Sequence, residues 1–173
     1  MESGINIITL MVEDRPGVLF KITSLIRRRG FNIETITVGR SEKEGLSRIT
    51  MTMYGDTRIV EQIVKQLSKI PDVIKITELP PSGSVYRELA LVKISAQDST
   101  KRSDILNYIS IFRSRVVDAS LDSLVVELVG SPNKINAFLD LMKGFGILEI
   151  ARTGTVALGR GAKLKTEPQE GSP

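Results

Sequence analysis

Asp14-Arg15-Pro16-Gly17-Val18-Leu19 is the segment with the most defined chemical potential, lying between a β-branched run and a helical pattern. A helix N-terminus there presents unpaired backbone N–H groups and a positive dipole end, both suited to a carboxylate, and Gly17 lets a ligand approach the backbone closely. Asp14 can accept hydrogen bonds from an ammonium, and Asn32 adds donor and acceptor capacity. Together they could hold both ends of a free α-amino acid. The same D-x-P-G string also reads as an ordinary turn with proline in the first helical turn.

Other chemistry is scarce. The 173 residues contain no histidine, cysteine or tryptophan. The chain therefore offers no imidazole base, thiolate nucleophile, zinc cage or disulfide. Glu13-Asp14 are sequence neighbours, and Glu42-Lys43-Glu44 reads as a solvated turn. No G-x-S-x-G elbow occurs. The reading is a non-enzyme, without cofactor or metal of its own. Net charge is +4, yet residues 1–79 and 80–173 each carry half of the 24 Lys/Arg and half of the 20 Asp/Glu. An even, mixed surface argues against a nucleic-acid footprint. No apolar run reaches the roughly 18 residues of a membrane span, and Met1-Glu2-Ser3-Gly4 does not resemble a secretory leader, so a cytoplasmic setting is expected.

The elements that must position the turn follow a βαββαβ order. Ile5 to Val12 reads as a strand. Val18, Ile22, Leu25 and Ile26 recur at helical spacing, and Arg27-Arg28-Arg29-Gly30 supplies last-turn cations and a C′ glycine. Phe31 to Val38 is expected as the second strand and Leu46 to Met53 as the third. Asp56 caps a helix carrying Ile59, Ile63, Leu67 and Ile70, which stops before Pro71, and Val73 to Leu79 closes the unit. Residues 80–86, containing Pro80-Pro81-Ser82-Gly83-Ser84, read as a linker. The order then repeats. Glu88 to Ser95, a helix marked by Ile105, Tyr108, Ile109 and Phe112, strands Val116–Ala119 and Leu124–Val129, a helix opened by Ser131-Pro132, and a broken strand within Ile147 to Leu158 form a second unit, 87–158. The tail 159–173 is expected to be disordered. The fold class is α+β, two ferredoxin-like βαββαβ units, 1–79 and 87–158. Units this small bury only about 60% of their unfolded surface, so a homodimer is expected. The RNA-recognition domain shares this topology, but its stacking aromatics have no counterpart in the two central strands.

The turn, followed by Arg29-Gly30-Phe31-Asn32-Ile33-Glu34 and Thr37-Val38, resembles the ACT domain of acetolactate synthase (acetohydroxyacid synthase) small regulatory subunits. Leu46-Ser47-Arg48, Arg87-Glu88-Leu89, Ile111-Phe112-Arg113 and Glu149-Ile150-Ala151-Arg152-Thr153-Gly154 extend the resemblance across residues 5 to 161. It implies a non-catalytic homodimer that binds the large catalytic subunit, raises its activity and confers feedback by branched-chain amino acids, chiefly valine. Thiamine diphosphate, Mg and FAD would reside on the large subunit. The effector would sit between neighbouring ACT domains at Asp14, Gly17 and Asn32, with Pro16, Val18, Leu19 and Ile33 beside it. The family often carries Asn where this chain has Asp14; a carboxylate there attracts the ammonium and repels the effector carboxylate. A free-standing ACT-type amino-acid sensor acting on another target is the alternative.

Overall fold

Alternation of apolar and polar side chains sets the first sheet. A computed structural model describes residues 5–161. Strand β1 (Ile5–Glu13) pairs antiparallel with β3 (Leu46–Tyr54) and β4 (Val73–Leu79), and β2 (Thr35–Arg40) adds to β3, giving the order β2-β3-β1-β4. One face, with Ile8, Leu10 and Val12 of β1 and Ile49, Met51 and Met53 of β3, is buried against helices α1 (Val18–Arg28) and α2 (Thr57–Leu67). Those helices contribute Val18, Ile22, Ile26, Val60, Ile63 and Leu67 to the core. The other face holds Ile7, packed with Leu79, Tyr86 and Ala157.

Local signals place the helix ends. Asp56 accepts from the Ile59 N–H at 3.0 Å, as an N-cap should. The α1 C-terminus forms a Schellman motif: Gly30 has φ 71°, its N–H donates to Arg27 O at 3.0 Å, and the Phe31 N–H donates to Ile26 O at 3.3 Å. Two boundaries move. The second strand starts at Thr35, not Phe31; Phe31 and Ile33 pack against the core from the α1–β2 connection, so their apolar character reflects plugging of the helix end rather than strand alternation. Helix α2 ends at Leu67, and Ile70 reaches the core from the turn beyond it.

The second unit repeats the plan with β5 (Ser84–Ser95), α3 (Ser99–Ile111), β6 (Arg115–Ala119), β7 (Ser123–Gly130), α4 (Pro132–Met142) and β8 (Ile147–Arg152), in the order β6-β7-β5-β8. Its core gathers Val92, Ile94, Leu124, Val126, Ile105, Ile135 and Phe138. Glu88 is buried and held by Arg152 at 2.5 and 2.8 Å.

The expected linker is largely structured: Pro81–Gly83 is a 3-10 turn and β5 begins at Ser84, whose Oγ donates to Pro80 O at 2.9 Å. The partner that makes Ser84 a strand residue comes from far along the chain. Strand β9 (Val156–Gly159) pairs with β5, and the Arg160 N–H donates to Gly83 O at 2.8 Å. The compact units are accordingly residues up to Tyr86 together with those from Val156, and Arg87–Thr155. Residues 156–158, expected in the second unit, thus belong with the first, because Ala157 joins the cluster of Ile7 and Leu79. The tail beyond residue 161 lies outside the described residues.

Candidate functional site

Strand β1 delivers Asp14 to the sheet end. The Asp14 N–H donates to Gly45 O at 2.9 Å, and the Asp14 carboxylate accepts from Ser47 Oγ at 3.1 Å. Pro16 and Gly17 complete the turn, but Gly17 is the N-cap of α1, at φ 86° and ψ −11°, and the helix begins at Val18. Pro16 therefore precedes the helix instead of occupying its first turn. The left-handed φ explains the glycine: a Cβ there would meet nothing within 4 Å, so the constraint is backbone conformation, not space.

This helix start differs from the other three. Asp56, Asp98 and Ser131 cap α2, α3 and α4 through their side chains, whereas α1 has no side-chain cap; none of these four helices carries an acidic residue in its first turn. The Val18 N–H reaches Arg15 O at 3.4 Å. Beyond it, the first-turn N–H groups of Leu19 and Phe20 stand where a helix has no internal acceptors, which suits an anionic group. Below the turn, Lys21 Nζ donates to the Asp72 carboxylate at 2.7 Å, tying the first turn of α1 to the chain entering β4. That hydrogen bond, with the ammonium charge, holds the Asp72 carboxyl below its ordinary value.

The expected site residues fall into two groups. Asp14, Pro16, Gly17 and Leu19 gather at the N-terminal end of α1, with Asp14 and Gly17 exposed. Val18 joins them in sequence, but its side chain is buried in the core and only its backbone faces the turn. Asn32 and Ile33 lie past the other end of α1, lining an open hollow of about 400 Å³ with Thr23, Arg27 and Phe31. Eleven helical residues at about 1.5 Å each separate the groups by roughly 16 Å. A single chain does not bring Asn32 to Gly17.

Two residues at the turn escape sequence reasoning. Ser47 is 33 positions from Asp14, and only the β1–β3 register joins them. Phe20 is 74% exposed, a large aromatic off the buried stripe of Val18, Ile22 and Ile26; that misplacement was a readable signal. Elsewhere, the chain's one S-x-x-K spacing, Ser131 to Lys134, is structural: Ser131 Oγ accepts from the Lys134 N–H at 3.3 Å as a cap, and Lys134 Nζ donates to Val129 O. Among the described residues, no group of three or more Asp or Glu is placed to hold a metal ion, and no helix is long and apolar enough to cross a membrane.

Residues 8–75, the first βαββαβ unit with its glycine-led turn, match the model of the AHAS small subunit-like ACT domain, which makes this an ACT-domain protein. Residues 87–161 match the model of the small subunit of acetolactate synthase. A protein of Methanothermobacter thermautotrophicus named "Probable acetolactate synthase small subunit" is 51% identical over 94% of this chain and 97% of its own length. The acetolactate synthase small subunit of Bacillus subtilis is 49% identical over 92% and 93%. The crystal structure of the acetolactate synthase small subunit from Thermotoga maritima superposes with a TM-score of 0.85 at 38% identity, covering 92% of this chain and 99% of that one. This chain belongs to the acetolactate synthase small-subunit family.

Proposed function

We propose that this chain is the non-catalytic regulatory partner of a thiamine-diphosphate-dependent acetolactate synthase large subunit in the cytoplasm, that it raises the activity of that subunit, and that it makes it sensitive to branched-chain amino acids, valine foremost. The observation that carries the reading is the match to small subunits over nearly the full length of both chains. The uncapped start of α1 supports an amino-acid effector, with the free N–H groups meeting its carboxylate and Asp14 its ammonium. The roughly 16 Å between Gly17 and Asn32 supports a shared site, in which one copy supplies the turn and a second copy supplies Asn32 and Ile33. Thiamine diphosphate, Mg and FAD would be held by the large subunit. The test is reconstitution: the isolated chain makes no acetolactate from pyruvate, addition to its large subunit raises the rate, and valine lowers it. Turnover by the isolated chain, or failure to bind the large subunit, overturns the proposal; in the second case an amino-acid response on another target would favour a free-standing sensor.

A further inference from the structure

The sheet face of the first unit that looks away from α1 and α2 carries a second concavity, of about 330 Å³, independent of the α1 turn. Cross-strand register builds it. Met11 lies opposite Arg48 on β3 and Lys75 on β4, so two cations flank it in one row of the sheet, while Thr9 lies opposite Thr77 in another row. A register shift between Met11 and Val12 leaves Ile74 as the extra residue of β4, half-exposed at the rim. Lys43 comes in from the β2–β3 hairpin, where Ser41 Oγ accepts from the Lys43 N–H and donates to Lys43 O, both at 3.0 Å. Leu46, Leu79 and Leu158 supply apolar wall.

The charge balance selects the ligand. Among the described residues, Glu42 is the one carboxylate lining the concavity, and its ion-pair partner is Arg48, at 3.5 Å. The Lys43 ammonium also acts on Glu42, helping to hold that carboxyl below its ordinary value, whereas Lys75 has no ion-pair partner among the described residues, and none of those residues hydrogen-bonds the Thr77 hydroxyl. Three cations, Lys43, Arg48 and Lys75, against the one carboxylate of Glu42, with a free hydroxyl beside apolar walls, suit a small anion with an aliphatic tail; an added ammonium on the ligand would meet both lysines. This is the reverse of the α1 turn, where Asp14 favours an ammonium. We infer that this concavity is a second ligand site, for a small aliphatic monocarboxylate lacking an amino group.

The test follows the Met11 methyl resonance of the full chain by NMR during titration with 4-methylpentanoate, with its neutral amide 4-methylpentanamide, and with leucine. The acid should shift Met11 saturably. The amide and leucine should need at least about tenfold more, the ratio given by about 1.4 kcal/mol of charge interaction. Lys75→Met should weaken the acid by at least a similar factor, and Lys75→Arg should restore it to within about threefold; Lys75 is exposed, so neither change touches the core. Gly17→Asp should leave the Met11 titration unchanged, which separates this site from the α1 turn. The inference is overturned if the acid does not saturate at millimolar concentration, if acid and amide titrate alike, if Lys75→Met has no effect, or if Gly17→Asp abolishes the shift.

Discussion

Substitution at Gly17 separates backbone strain from charge at the α1 turn. With φ at 86°, any L-residue there costs about 1 to 2 kcal/mol, and Asp sits near the lower end because it tolerates the left-handed region better than most. Since a Cβ at this position meets nothing within 4 Å, no steric term adds to that cost. At about 2 to 4 °C per kcal/mol for a chain of this size, Gly17→Asp and Gly17→Ala should each lower the Tm by roughly 2 to 8 °C and remain folded. Their ligand responses should diverge. The carboxylate introduced by Gly17→Asp, about 4 Å from an effector carboxylate, repels it by roughly 4 kcal/mol at an effective dielectric near 20. Halved by screening, that is still about a thirtyfold loss of affinity. Gly17→Ala, with similar strain and no charge, should lose at most a few-fold. Calorimetry with valine, alongside valine inhibition of the reconstituted synthase, reads both variants, and activation of the large subunit should survive in each. Equal weakening by Ala and Asp, or no weakening by either, would refute the placement of the effector carboxylate at this helix start.

Three further outcomes follow from the geometry. Ser47→Ala removes the hydroxyl that orients Asp14 and should weaken the amino-acid effector by about 0.5 to 1.5 kcal/mol in calorimetry, with Tm little changed. Asp72→Asn tests the Lys21 pair: because the folded pKa of Asp72 is lowered, its contribution is present above the unfolded value of about 3.8 and fades as pH falls through the folded value, so wild type and variant should differ in urea midpoint at pH 7 and converge in strong acid. Arg152→Met strips the partner from buried Glu88 and should cost about 3 to 5 kcal/mol, a Tm loss of roughly 6 to 20 °C by calorimetry; a change under about 1 kcal/mol would show that the Glu88 carboxylate finds another partner.

How much of this was legible in the sequence depends on the range of the forces involved. Periodicity, Asp56 and Ser131 as caps, and Gly30 as the helix stop are local, decided by hydrogen bonds and φ values within a few residues, and the two βαββαβ units follow from them. The turn from Asp14 to Leu19 was legible for the same reason, though Pro16 falls before the helix instead of in its first turn. The position of Asn32 was not: Phe31-Asn32-Ile33 looks like a strand by composition, and only packing against the core holds it in a connection. Ser47 beside Asp14, the two cations flanking Met11, and β9 joining the first unit rest on partners tens of residues away, where sequence spacing carries no information and register decides. Composition and local pattern determined which residues could bind an amino acid. Tertiary structure decided that one chain holds them at opposite ends of α1, because an eleven-residue helix is a rigid rod about 16 Å long.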